Sequence, residues 1–163
     1  MDLSRLCIIP CGSRKIWDTN PSAAGSFPAE QAYTGALHRK CQAYAARFFE
    51  HWAILSAKHG FLLPGELVPG NYDVAFGSGH PDILSAAQLA SQARSKGLDR
   101  FEDIVVLGGK KFTVILPQVF DQARSIVYPL VGSKGIGHML QRLDQVLASG
   151  KEFAPDAADG FSG

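Results

Sequence analysis

Four short runs of consecutive apolar residues punctuate the chain: residues 6–10 (LCIIP), 52–56 (WAILS), 104–107 (IVVL) and 126–131 (IVYPLV). Apolar positions that follow one another without alternation are how strands covered on both faces read, so each run predicts a buried strand. The Val- and Ile-rich third run has the strongest β-propensity. Pro129 marks the end or an exposed edge of the fourth, because proline has no N–H for a ladder. Between the runs the period changes to that of a helix. In residues 37–49, Leu37, Cys41, Tyr44, Ala45 and Phe48 fall on one face. Residues 83–96 are rich in Ala and Gln and stop before Gly97, a helix-ending residue. Residues 110–124 contain Pro117, which predicts a kink or two short helices. Residues 136–148 are the clearest helix, with Ile136, Met139, Leu140, Leu143, Val146 and Leu147 on one face and Gly150 just beyond.

Strands alternating with helices predict an α/β layer with a mostly parallel sheet of four to five strands, its faces covered by right-handed crossovers. Two long stretches, 11–34 and 57–82, carry no clear period, and loops of that length in a compact domain are usually functional or mobile. Residues 1–149 read as one domain. Residues 150–163 read as a flexible tail with little to bury.

Composition narrows the classes. The chain has 163 residues, 46% hydrophobic and 19% charged, enough for one domain with a sizeable core. Lys and Arg number 16 against 15 Asp and Glu, which excludes a strongly basic nucleic-acid coat but leaves a local cationic site open. No apolar run is long enough to span a membrane, so no membrane partner is expected. The apolar stretch near the N-terminus is too short for the core of a signal peptide. Three cysteines, an odd number, speak against a disulfide scaffold, and a reducing, cytoplasmic location is expected.

The strongest chemical signal lies just beyond each predicted strand. The first is followed by Cys11-Gly12-Ser13-Arg14-Lys15, the second ends in Ser56 before Ala57-Lys58-His59-Gly60, the third is followed by Gly108-Gly109-Lys110-Lys111, and the fourth by Gly132-Ser133-Lys134-Gly135-Ile136-Gly137. In an open parallel sheet these ends lie along one edge, where ligands bind. Glycine lets the backbone approach a ligand, free N–H groups at a helix start favour an anion, and the cation adds charge. Four such loops predict a phosphate or nucleotide site. The P-loop pattern GxxxxGK[ST] is absent, and residues 132–137 read GxxGxG rather than GxGxxG, so neither a P-loop nucleotidase nor a dinucleotide fold is indicated.

Cys7 and Cys11 are separated by roughly 13 Å if extended at ~3.3 Å per residue, too far to share one metal without a bend. The five histidines show no HxH or HxxxH pairing, so no metal site and no cofactor is expected. Cys7 reads as core. Cys11 reads as a small residue in a tight turn or as a nucleophile near Arg14 and Lys15. The second long stretch, HGFLLPGELVPGNYDVAFG, offers Glu66 and Asp73 as carboxylates for acid–base or nucleophilic work and Tyr72 for stacking. Its apolar content argues that it packs down beside a crevice rather than floating free.

The combination of PCGSRK, AYTGALHRKCQAYA, LSAKHGFLLPGELVPGNYDV and VVLGG resembles an uncharacterised bacterial domain family reading CGxxK, YxGxxxRK, LSAKxGLxxP and YD. LSAKHGFLLP with its downstream tyrosine is the most specific part, and it is similar, more distantly, to the YaaA family of peroxide-stress proteins. The PC-S-x-K pattern is similar to an accessory domain of archaeosine synthase, whose fold is akin to uracil-DNA glycosylases. These resemblances imply a Rossmann-like three-layer fold and a nucleic-acid or nucleobase context. They single out Cys11, Gly12, Ser13, Lys15, Tyr33, Gly35, Arg39, Lys40, Ser56, Lys58, Gly60, Pro64, Tyr72, Asp73, Gly108 and Gly109. The chain is shorter than YaaA proteins and carries no clear helix-hairpin-helix segment, which weighs against duplex DNA.

The expected function is that of an enzyme on a nucleotide, nucleoside or modified nucleobase, a hydrolase or transferase acting on an N-glycosidic bond. Phosphate would be held by the strand-end loops, a base would stack on Tyr33 or Tyr72, and Asp73, Glu66 or Cys11 would carry the chemistry. The alternative is a nucleic-acid-binding stress-response protein without catalysis.

Overall fold

The computed structural model describes residues 4–154. In chain order the elements are β1 (Arg5–Pro10), α1 (Ile16–Thr19), β2 (Phe27–Pro28), α2 (Ala29–Ala32), α3 (Ala36–Phe48), β3 (His51–Ser56), β4 (Gly60–Leu62), β5 (Leu67–Val68), α4 (Ala86–Ser95), β6 (Asp103–Val106), α5 (Lys111–Val119), β7 (Ser125–Val127) and α6 (Ile136–Ser149). Five strands form one sheet in the order β4-β3-β1-β6-β7. β3, β1, β6 and β7 run parallel, and β4 pairs antiparallel with β3. The pairing of Cys7 with Trp52 on one side and Val105 on the other places β1 inside the sheet, as its apolar run requires.

Alternate residues of these strands enter two separate buried clusters. Leu6, Ile8, Leu55, Ile104 and Val106 join Leu89 and Ala93 of α4 and Phe112 and Leu116 of α5. Cys7, Ile9, Ile54 and Val105 join Cys41, Tyr44 and Ala45 of α3 and Leu143 of α6. That is why the strands carry no polar face: a fully buried Leu, Ile or Val contributes roughly 1.5–3 kcal/mol, and both faces are used.

The predicted helices appear with shifted ends. α4 starts after Ser85, whose hydroxyl accepts the Gln88 N–H at 3.1 Å while the Gln88 side chain accepts the Ser85 N–H. Of the kink or two short helices expected from Pro117, the two helices are not formed. α5 is a single nine-residue helix that stops at Val119, two residues after the proline. The fourth strand is shorter than its apolar run and ends before Tyr128 and Pro129. The two stretches without period are partly ordered. β2 pairs antiparallel with β5 across them, and Ala29 N–H donates to the Glu66 carbonyl at 2.8 Å.

The tail expected from residue 150 onward is tied down at its start. Arg5 donates to both Glu152 carboxylate oxygens, at 2.6 and 3.2 Å, and the Phe153 N–H donates to the Tyr44 hydroxyl at 3.0 Å. The rest of that tail lies outside the described residues.

Candidate functional site

The strand order turns at β1. The chain leaves β1 for β3 on one side and later returns to β6 on the other. At such a reversal the loops beyond the strand ends diverge and leave a crevice. Here a cavity of about 250 Å³ opens, lined after β1 by Cys11, Gly12, Ser13 and Lys15, at the end of β3 by Leu55 and Ala57, and at the start of α5 by Lys111 and Phe112. Asp73, Val74, Ala75 and Phe76 of the long loop close its other side. An adjoining concavity of about 440 Å³ shares Ser13 and Asp73 and adds Asp18, Asn71 and Tyr72.

The loop after β1 turns at Gly12, whose φ of +79° lies in the left-handed region that suits glycine. Three residues on, Lys15 bridges to Tyr33 and its side chain folds inward, leaving the residue 2% exposed. Its ammonium donates to the Ser13 carbonyl at 2.8 Å and sits 4.4 Å from the centroid of the Tyr72 ring. Among the described residues no carboxylate pairs with it. Its backbone N–H donates to Asp18 at 3.0 Å, and that carboxyl is held below its usual range by the Asn71 amide, by this N–H and by the Lys15 charge.

Tyr72 is the centre of the wall. Ser56 Oγ accepts from the N–H groups of Lys58 at 3.3 Å and His59 at 3.1 Å, so its own proton is free to point at the Tyr72 hydroxyl, 2.7 Å away. Tyr33 and Tyr72 share a hydrogen bond between their hydroxyls. The Lys58 ammonium stands 5.6 Å from the Tyr72 ring, and the His59 ring meets it edge-on at 4.8 Å. Burial pushes the Tyr33 phenol up to about 12 and Tyr72 higher still, the latter helped by Cys11 and Tyr33, so both remain neutral. Burial, and then Lys58, holds the His59 imidazole below its usual value.

Cys11 lies among Lys15, Lys111 and Tyr72, which favour a thiolate, but burial outweighs them and raises its thiol. Burial thus works against the thiolate that a nucleophile at this position needs. Cys7 and Cys41 are fully buried, with their thiols raised by the same cause.

The structure thus gathers Cys11, Gly12, Ser13, Lys15, Tyr33, Ser56, Lys58, His59, Tyr72 and Asp73 around one place. Gly108 and Gly109 stand just before Lys111. A Cβ on Gly108 would come within 2.4 Å of the Phe112 ring, so this glycine serves close packing. Arg14 and Arg39 are exposed. Arg14 contributes its carbonyl to the Thr34 N–H at 3.0 Å, and Arg39 occupies the first turn of α3. Two candidates lie elsewhere. Glu66 accepts the Leu63 N–H and pairs with Lys96, each at 2.7 Å; burial works to raise its carboxyl, but these partners hold it below its usual range. Ser133 accepts from Arg142 at 2.8 Å. Tyr33 is 2% exposed, so it braces Tyr72 and offers no face to a base. The aromatic surface of the cavity comes instead from Phe76 and Phe112, which meet edge-to-face at 5.9 Å.

Sequence reasoning missed Asp18, Phe76 and Phe112 as lining residues. Lys111 is expected there only as part of the loop after the third strand, by its position behind Gly108-Gly109. Among the described residues no group of three or more His, Cys, Asp or Glu is arranged to hold a metal, and no helix is long and apolar enough to cross a membrane.

Fold and site define a mixed α/β protein with a mostly parallel sheet and a cation-lined crevice at its strand ends. Residues 7–145 match the family of unknown function DUF6884, and the chain belongs to that family. It is also 51% identical, over 145 residues, to the protein named "Uncharacterized protein YfjM" of Bacillus subtilis (strain 168), covering 89% of this chain and 96% of that relative.

Proposed function

We propose that the crevice binds the anionic group of a nucleotide-type substrate and that the protein is an enzyme cleaving or exchanging an N-glycosidic bond. The observation that carries this reading is Lys15. A buried ammonium without a counter-ion is costly, several kcal/mol even after relaxation, unless something neutralises it. One carbonyl and one aromatic face leave N–H donors of this ammonium unanswered, and the exposed Asp18 carboxylate, though it feels the Lys15 charge, makes no ion-pair contact with it. An anion entering beside Lys15 and Lys111 answers these donors and the charge.

The remaining parts suit the rest of such a substrate. Val74, Phe76 and Phe112 give apolar surface for a base. Asp73 stands at the junction of the two concavities, exposed, and serves as the carboxylate that stabilises an oxocarbenium-like centre or activates water there. Helices α3 and α6 against one buried cluster and α4 and α5 against the other are read as a Rossmann-like three-layer domain. The sequence resemblance to YaaA proteins and to the archaeosine synthase accessory domain adds a nucleobase context.

The test is a thermal-shift panel of nucleoside monophosphates, followed by chromatographic detection of released base. Saturation at 100 times Kd raises stability by about 2.7 kcal/mol. Absence of any shift and of any released base overturns the proposal. A shift with single-stranded oligonucleotides alone, without base release, favours the non-catalytic nucleic-acid-binding reading instead.

A further inference from the structure

The buried imidazole of His38 takes no part in the chemistry above, yet it touches the framework of the crevice at three points. Its Nδ1 lies 2.8 Å from the Pro10 carbonyl oxygen and its Nε2 lies 2.9 Å from the Gln42 carboxamide. Its ring tilts against Tyr33 at a centroid distance of 5.4 Å, and the residue is 1% exposed. A carbonyl only accepts, so Nδ1 carries the proton and donates to Pro10. The Gln42 carboxamide offers an N–H to a neutral ring or an oxygen to an imidazolium.

The contact falls where the loop needs it. Pro10 is the last residue of β1 and has no N–H, so its carbonyl is the backbone polar group by which it can be held. The next three residues make the turn. A Cβ on Gly12 would stand 3.9 Å from His38 Cβ, so the turn lies directly over this histidine. Ser13 then supplies the carbonyl that holds the Lys15 ammonium. The far end of the loop is secured independently by the Thr34 N–H to the Arg14 carbonyl and by the bridge from Lys15 to Tyr33.

We infer that His38 is the positioning residue of this crevice, pinning the start of the Cys11–Gly12–Ser13 turn through the Pro10 carbonyl and bracing Tyr33, so that the Lys15 ammonium is presented at the cavity wall. The effect on affinity rests on the anion-binding reading above. The effect on the loop does not.

Cys11 reports on the loop directly. It is half-buried at the crevice, whereas Cys7 and Cys41 are fully buried. Iodoacetamide alkylation of the native protein, read at Cys11 by mass spectrometry, forms an S–C bond and releases iodide and a proton. His38→Leu, which cannot donate, is expected to raise the Cys11 rate tenfold or more and to weaken protection by a nucleoside monophosphate. His38→Asn, whose amide N–H can take the place of Nδ1–H, is expected to stay within twofold of the wild type. A His38→Leu protein that melts like the wild type and alkylates at the wild-type rate overturns the inference, and so does an Asn variant as fast as the Leu variant. If His38→Leu does not fold, His38→Gln decides: its longer amide overshoots Pro10, so a wild-type rate in that variant overturns the inference and a fast one supports it. Failure of every nucleotide to protect wild-type Cys11 would count against the proposed function while the rate comparison still judges His38.

Discussion

The loops after β1 and β7 have nearly the same ingredients and opposite fates. Each joins glycine, serine and lysine behind a parallel strand, at once after β1 and beyond the Tyr128–Val131 segment after β7. After β1 the cation turns inward, is shielded from solvent and makes no ion-pair contact with a carboxylate among the described residues. After β7 the polar groups are answered within the loop and the helix behind it. Ser133 accepts from Arg142, Lys134 N–H donates to His138 Nδ1 at 2.9 Å, and the Lys134 side chain stays in water. Position in the sheet explains the contrast. β1 has strands on both sides, so neighbouring loops enclose the segment after it, while β7 is an edge strand with one neighbour. A small residue and a cation at a strand end make a site only where flanking loops exclude water.

The contrast is most exposed to test at Lys15. Lys15→Met is expected to reduce nucleotide affinity about 30-fold or more, the scale of losing one partner of a buried charge pair. Its melting temperature should hold or rise, because the cost of burying an unpaired charge disappears. Lys134→Met should change neither. Equal binding by Lys15→Met and wild type in calorimetry would remove the basis for treating the two loops differently.

Two carboxylates come next in size of effect. Asp73→Asn should lower turnover about a hundredfold, the lower scale of general acid–base catalysis, without shifting the melting curve. Glu66→Gln should leave turnover intact and cost about 1 kcal/mol, since its pair with Lys96 is part-exposed. Early melting of Asp73→Asn with unchanged specific activity would reassign it to a turn.

In the β7 loop, Ser133→Ala should cost roughly 0.5–1.5 kcal/mol in denaturant unfolding through the lost Arg142 hydrogen bond and leave ligand affinity unchanged. A loss of affinity would join this loop to the crevice after all.

The smallest effect is in pH. Burial depresses both His38 and His59 in the folded state, so the unfolded chain binds more protons once pH falls below the ordinary histidine value of about 6.5. Their contribution is present above that value and is lost as pH falls through their lowered folded values. The melting temperature should decline from pH 7.5 to 5.5, and less so in His38→Asn. A steeper decline in that variant would contradict the sign.

Legibility followed the length scale of the signal. Residues 6–10, 52–56 and 104–107 read as strands covered on both faces because such burial needs an unbroken apolar run, and all three are interior, whereas the equally apolar fourth run forms the edge strand β7. α6 was legible because its face repeats over fourteen residues. β4 was not, because three residues, Gly60–Leu62, carry no period and pair only once β3 is in place. Within the candidate site, Lys15 and Tyr72 were legible from the sequence, but Phe76 and Phe112 looked like ordinary apolar residues. Glu66 looked as reactive as Asp73, since a carboxylate in a loop gives no hint that a distant lysine such as Lys96 already holds it.

Sequence alone was enough for the alternation of strand and helix and for the placing of small residues and cations at strand ends. Each is a local property, set by side-chain period and by turn chemistry within a few residues. Which strand-end loop became the crevice wall was settled in three dimensions. Strand order, the carriage of Tyr72 from a loop 57 positions away onto Lys15, and the pairing of Glu66 and Ser133 with other residues together made that choice. Desolvation is a property of what surrounds a charge on all sides, and Tyr33 and Tyr72, which close over Lys15, are distant from it in the chain.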